Sequence, residues 1–288
     1  MNNSKKGVLF FAHNNQHIDY VKQAIFAAQQ TKKHLGLPIA LVTSNSTHLF
    51  KHYSKHINLF DKIIAVDEVD SKQTKIFNDG DQHSVQDLWK NHLRATAYEL
   101  TPYDETIVLD TDYIVGNKNL LKCFESKEDL LIHRKSVYVN YFNKIDHRVN
   151  YISDTGMQMY WATVFYFKKT AKIKVFFEII SHVKENWDYY RFTHQIMEPA
   201  FRNDYAFTIA VHMLNGYRHS DWPCPLPDRL YYVTDRDLPE SFQEDKWIFS
   251  MLTNQGQYVK IKTDSISMHV MNKLALDRII EKGAHNAG

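Results

Sequence analysis

Glu105-Thr106-Ile107-Val108-Leu109-Asp110-Thr111-Asp112-Tyr113-Ile114-Val115 is the stretch around which the chain organises itself. A run of strand-forming residues climbs to an aspartate, passes one threonine and places a second aspartate. In extended backbone, residues two apart project to the same side. Asp110 and Asp112 are therefore expected to stand together where a buried strand reaches the surface. Two close carboxylates repel each other and are best satisfied by a cation, and hard oxygen ligands suit Mg²⁺ or Mn²⁺. The plainer alternative is a strand ending in a polar turn, with both aspartates solvated.

Upstream of this strand the pattern is that of a parallel sheet covered by helices. Gly7 to Ala12 reads as a buried strand that ends abruptly at His13-Asn14-Asn15-Gln16-His17. A polar loop at the carboxyl end of a first parallel strand is where open α/β sheets bind ligands. Ile18, Val21, Ile25 and Ala28 mark one stripe of a following helix, stopped at Gly36-Leu37-Pro38. Ile39 to Thr43 is a second strand opening at Ser44-Asn45-Ser46, and Lys62 to Val66 a third. Residues 68–83 show no period and are expected to be loop. Ser84 then caps a predicted helix, with Asp87 in a capping-box position and Val85, Leu88, Trp89, His92, Leu93, Thr96, Ala97 and Leu100 on its buried face. Arg94 lies beside the apolar stripe of that helix.

Downstream the character changes. Residues 129–133, 137–139 and 157–167 read as antiparallel strands rich in aromatics, separated by a polar loop carrying Lys144, His147 and Arg148. Ile173, Phe176, Phe177, Ile180 and Val183 mark another amphipathic helix. Asn203 or Asp204 opens a further helix through Phe207, Ala210, Val211 and Leu214, ended at Asn215-Gly216. Strands return near 231–233 and 258–261, and a late His269 is followed by Lys273. Tyr138, Tyr141, Phe142, Tyr151, Tyr160, Trp161, Trp187, Tyr189, Tyr190 and Trp222 could stack on sugars or bases, or simply fill the core. Arg134, Lys135 and Arg191 interleave with them.

Composition sets outer bounds. With 288 residues the chain can bury a full core, and a formal charge of +2 does not by itself imply a polyanionic partner. Sixteen histidines suit polar recognition. Cys123 and Cys224 have no paired spacing, so neither a disulfide framework nor a zinc site is indicated, and a reducing, cytoplasmic setting fits best. No stretch approaches the length of a membrane span, and the apolar run from Val8 to Ala12 is too short for a signal peptide.

Three pieces, in order along nearly the whole chain, resemble one family. Arg94 followed by Asp110-Thr111-Asp112, then Phe201-Arg202-Asn203-Asp204 opening a helix, then His269 with Lys273, is similar to GT-A-fold glycosyltransferases. The nearest pattern is the glycogenin-like and bacterial galactosyltransferase-like group with its DxD motif. The late element departs from the family's His-x-x-x-x-x-Lys-Pro-Trp, since the spacing is shorter and Pro-Trp is absent. The resemblance implies a single α/β domain over 1–288 with a Rossmann-like, mostly parallel central sheet flanked by helices. Residues 1–116 would bind the nucleotide-sugar. An antiparallel, aromatic-rich half over 117–288 would take the acceptor.

The resemblance also implies roles: Asp110, Asp112 and His269 as ligands of Mn²⁺ or Mg²⁺, with Asp110 also reaching the ribose, and Arg94 and Lys273 on the donor. Ala12, His13, Asn14 and Asn45 would hold its base and ribose, and Asp204 would act at the reacting centre. The implied reaction moves a sugar, with a tilt towards retention, from a nucleotide-sugar, best a UDP-sugar, to a hydroxyl. The acceptor is either a glycan or a hydroxylated base in DNA, as in bacteriophage enzymes that decorate their own genomes; in that case the setting is the host cytoplasm. Rival readings are a nucleotidyltransferase of similar fold and a non-catalytic nucleotide-sugar-binding protein. His13 to His17 lacks the glycine and lysine of a nucleotidyltransferase phosphate loop.

Overall fold

The computed structural model describes residues 5–68, 72–90, 93–139, 151–152, 156–253 and 255–285. His92, Tyr141, Phe142, Lys144, His147 and Arg148 lie outside the described residues. The first third contains β1 (Lys6–Ala12), α1 (Tyr20–Leu35), β2 (Ile39–Thr43), α2 (Ser46–His52), β3 (Lys62–Ala65), β4 (Thr74–Asp79), β5 (His83–Leu88) and α3 (Ala97–Leu100). Then come β6 (Glu105–Leu109), β7 (Tyr113–Ile114), β8 (Leu130–His133), β9 (Ser136–Tyr138), β10 (Tyr151–Ile152), β11 (Met157–Gln158), β12 (Trp161–Lys168), α4 (Ala171–Glu185), α5 (Trp187–Thr193) and α6 (Asn203–Leu214). The chain closes with β13 (Leu230–Val233), β14 (Leu238–Gln243), β15 (Lys246–Leu252), β16 (Tyr258–Lys262), β17 (Met268–Val270) and α7 (Lys273–His285).

The central sheet has the order β3-β2-β1-β6-β12-β8, so the fold is mixed α/β with the mostly parallel sheet that the sequence predicts. The first four strands run parallel, and β12 is antiparallel to both β6 and β8. β6 is buried from Thr106 to Leu109 because it lies between β1 and β12. Pairing of Phe10 with both Leu41 and Leu109 brings the carboxyl ends of β1, β2 and β6 level. The polar loops at His13, Ser44 and Asp110 therefore open on one edge of the sheet, where parallel α/β folds place their ligands. α1 buries Val21, Ile25 and Ala28, begins at an Asp19 cap and stops at Gly36. α4 buries all five residues of its predicted stripe, with Thr170 as cap.

Two expectations fail. Residues 74–88 are a β-hairpin, not a loop followed by a Ser84-capped helix. Asn78-Asp79-Gly80 is a turn signal, and Gly80 sits at φ +75°, where a Cβ would also crowd Leu238 at 3.1 Å. Tertiary anchors hold the hairpin: Asp79 takes two bonds from Arg278 of α7 (2.6 and 2.7 Å), and Asp235 accepts from Asn78 (3.0 Å). Asp87 caps no helix but accepts from the His17 amide at 2.9 Å. Arg94 consequently lies in a 3-10 turn, Leu93–Thr96. Secondly, β9 pairs parallel to β13 in the sheet β7-β17-β13-β9, whereas antiparallel strands were expected there. The antiparallel component of the second half is the meander β14-β15-β16 and the pairings of β12. No described helix is long and apolar enough to cross a membrane.

Candidate active site

The Asp110 to Asp112 segment is not extended. Asp110 donates its amide to the Thr163 carbonyl of β12 at 3.0 Å, and Tyr113 donates to the Asp110 carbonyl, so the chain turns through Thr111. After that turn β7 pairs antiparallel with β17, setting His269 opposite Tyr113, and Val270 donates to the Asp112 carbonyl at 2.9 Å. Gly116 makes this approach possible, because a Cβ there would lie 2.4 Å from the Ile266 carbonyl oxygen. The two aspartates and a histidine from 157 residues further along thus converge. Ligand atoms of Asp110, Asp112 and His269 all lie within 4.8 Å of one another.

Asp112 is buried, contrary to the surface pair expected, and accepts from Lys273 and, at 3.1 Å, makes a bond with His269 Nε2. Burial opposes its charge, but the Lys273 and His269 side chains override it and hold its carboxyl well below the usual range. Lys273 is delivered by the first turn of α7, where Asn272 caps the Ala275 amide. Asp110, partly open, is paired with the buried Arg94 guanidinium. Burial lowers the Arg94 pKa to about 10, still leaving it charged.

β12 joins the remaining group to these. The Ala162 carbonyl accepts from Arg94 at 2.7 Å and the Ala162 amide donates to Asp204 at 2.8 Å. Asp204 stands in the first turn of α6, as the sequence predicts, but Arg202 occupies the cap position and pairs with Asp204 at 3.1 Å. Burial opposes the Arg202 charge, while Asp204 and Glu198 more than compensate and raise its pKa.

These residues surround one cavity of about 180 Å³. His13, Arg94, Asp110, Asp112, Asp204, His269 and Lys273 all line it. Burial, then Lys90, lowers the His13 pKa to about 4, so its ring is neutral near pH 7, and its buried Nε2 has no partner among the described residues. The other predicted nucleotide residues fall elsewhere. Asn14 faces a neighbouring cleft of about 610 Å³ and Ala12 is fully buried beneath the loop. Asn45 serves the backbone, accepting from the Asn14 amide at 2.8 Å.

The sequence reading missed Lys75, Phe77, Trp89 and Lys90, which the hairpin and the residues just after it bring to the same cavity. The Asp-Gly turn signal was the clue to them. Of the two roles open to the aromatics, most take the core one. Tyr160, Trp161, Trp187 and Tyr190 are buried, and Tyr138 spends its hydroxyl on Asp237 at 2.9 Å; Tyr151 and Tyr189 are the exposed ones among those described. Arg134 donates to the carbonyls of Asp221 and Pro223, and Arg191 to Asp188.

The donor set of two carboxylates and an imidazole fits a hard divalent ion. Octahedral Mg²⁺ holds its ligands at ~2.1 Å, so opposed ligands lie ~4.2 Å apart, and the observed 4.8 Å spread needs only small side-chain movement. Lys273 and Arg94 already neutralise the two carboxylates, and an incoming ion would compete with them.

No protein-family model matches the chain, and no curated protein matches it. Solved structures do. The glycosyltransferase GlyE of Streptococcus pneumoniae TIGR4 is 16% identical over 74% of this chain and 43% of its own, with a TM-score of 0.38. The bifunctional IspDF of Campylobacter jejuni is 10% identical over 72% and 47%, at 0.36. The galactosyltransferase LgtC, solved with donor and acceptor sugar analogues, is 12% identical over 71% and 69%, at 0.43. The chain thus spans less than half the length of the first two. At these TM-scores the chemistry is read from the cavity itself.

Proposed function

We propose that the chain is a divalent-metal-dependent glycosyltransferase that moves a sugar from a nucleotide-sugar, best a UDP-sugar, to an acceptor hydroxyl. The observation that carries the reading is the convergence of Asp110, Asp112 and His269 at the carboxyl edge of a parallel sheet, with Asp204 and several cations in the same cavity. A nucleoside diphosphate leaves as a dianion or trianion, and its developing charge must be met by fixed positive groups. A divalent ion on Asp110, Asp112 and His269 would supply Lewis-acid stabilisation to that leaving group. Arg94 orients the Asp110 carboxylate through its own anchor on Ala162. Lys273, at the start of α7 and paired with Asp112 in the same cavity, would meet the diphosphate. Asp204, held by Arg202 and the Ala162 amide in the same cavity, would take the proton of an acceptor hydroxyl as general base if the anomeric centre inverts.

The acceptor in this reading is a glycan. Arg134, a basic residue that would otherwise favour a DNA acceptor, is tied to the carbonyls of Asp221 and Pro223, while Arg191 is paired with Asp188 on an open helix face. Calorimetric titration of UDP with Mn²⁺ and then with EDTA tests the donor half, and metal-dependent binding is the expected result. Equal binding in both conditions, or none for any nucleoside diphosphate, refutes it. Acceptor binding that hardly changes with salt supports a glycan; a steep fall marks displaced counterions and a nucleic acid.

A further inference from the structure

Five cations line the cavity, and four of them already hold a carboxylate. Arg94 pairs with Asp110, Lys273 with Asp112, Arg202 with Asp204 and Lys90 with Glu68. Lys75 differs: among the described residues no carboxylate lies within ion-pair distance of it. Its position follows from the pleat of β4, where residues two apart share a face. Phe77 is buried and Ile76 is exposed, so Lys75 shares the inner face with Phe77. Its ammonium rests against ring faces, 5.6 Å from the centre of Phe77 and 5.2 Å from that of Trp89. Such contacts steady a cation without neutralising it.

The charges around this ammonium are unbalanced. Lys273 from α7 and Arg202 from the entry to α6 repel it, while Asp235 after β13 and Asp112 after β6 attract it more weakly. Lys75 is exposed as a residue, yet its ammonium is desolvated against the cavity wall, and that desolvation with those two cations lowers its pKa to about 8. An ammonium kept in a cavity with other cations, beside aromatic rings and short of a counter-charge, is stabilised by a multivalent anion. Asp79 and Asn78 tie the turn of the hairpin to α7 and to Asp235, so the strand carrying Lys75 has a fixed seat.

We propose that Lys75 is a phosphate-binding residue of the donor site, through which the β4–β5 hairpin recognises a diphosphate in preference to a monophosphate or a bare nucleoside. This rests on the nucleotide-sugar reading above. It extends that reading to an element with no counterpart among the motifs from which the reading came. The negative charge that Lys75 meets grows from none in uridine to one phosphate in UMP and two in UDP. Discrimination along that series is therefore its signature.

The test is calorimetric titration of uridine, UMP and UDP, all with Mn²⁺, into the wild-type chain, Lys75→Met and Lys75→Arg. Lys75→Met keeps most of the apolar stem over Phe77 and Trp89. Losing one charge-assisted hydrogen bond is expected to weaken UDP binding by about 10- to 100-fold, with uridine unchanged and Lys75→Arg close to wild type. Unchanged UDP affinity in Lys75→Met overturns the assignment. An equal loss for uridine and UDP also overturns it, because the lysine would then only shape the pocket. If the wild type binds none of these and no other nucleoside diphosphate, the underlying donor reading falls and this inference with it. Wild-type UDP binding that Lys75→Met leaves intact removes this inference alone.

Discussion

Asp112→Asn keeps the shape of a buried side chain and removes its charge, so it separates electrostatics from packing. In the native site the Asp112 side chain is 3% exposed, and it faces Lys273 and His269 at 14% and 11%. Removing one partner of a buried pair leaves the other uncompensated and costs about 3–5 kcal/mol; the amide can still accept one hydrogen bond, which favours the lower end, ~3 kcal/mol. At about 2–4 °C per kcal/mol for a chain of this size, the melting temperature in EDTA should fall by roughly 6–12 °C. Lys273→Met removes the opposite charge and should destabilise similarly. The double variant has no stranded charge from this pair, so it should recover about 1–3 kcal/mol relative to the sum of the two. Adding Mn²⁺ at about 100 times its Kd should raise wild-type stability by ~2.7 kcal/mol and leave Asp112→Asn unmoved. Scanning calorimetry of the four proteins, with EDTA and with Mn²⁺, gives every number. An Asp112→Asn variant melting within about 2 °C of wild type in EDTA, or strict additivity in the double variant, refutes the buried-pair argument.

Two further outcomes follow from the same geometry. Asp204→Asn retains the Ala162 bond, so donor affinity should persist, and in an inverting reaction transfer should fall by about 10²–10⁴-fold; a loss of UDP affinity instead would move Asp204 from the acceptor side to the donor side. Burial lifts the Asp277 carboxyl from 3.8 to about 6, so the folded chain holds that proton more tightly than the unfolded one. Stability should therefore decline as pH rises from about 4 to about 6 and stay level above. Asp277→Asn should be more stable than wild type by up to ~3 kcal/mol at pH 7.5 and by almost nothing below pH ~4. Urea denaturation at both pH values measures it, and an equal gain at both would count against the burial argument.

Local patterning and the motifs carried the sheet, the helices α1, α4 and α6, and most of the chemistry-bearing residues. Runs such as Val8 to Ala12 and Ile107 to Leu109 are apolar without alternation because both faces of their sheet are covered, and that is visible in one dimension. Likewise the i, i+3, i+4 stripe of α4 names its buried face before any partner is known. Asp110, Asp112 and Asp204 were nameable because each stands at the end or start of such an element, whereas His269, inside β17, was named by the family resemblance alone.

The hairpin was misread because residues 85, 88, 89, 93, 96 and 97 happen to fit a helical period, while the interactions that select a strand there are remote. Arg278 on Asp79, Asp235 on Asn78 and His17 on Asp87 come from segments 199, 157 and 70 residues away. With that hairpin went Lys75 and Trp89. Equally remote is the burial of Asp112, which turns an expected surface pair into a neutralised cluster. The sequence by itself determined which strands are two-sided and which side chains carry charge to their ends. Only tertiary structure decided which of those charges meet, because the β7–β17 pairing and the cap of α7 are long-range closures to which no local period testifies.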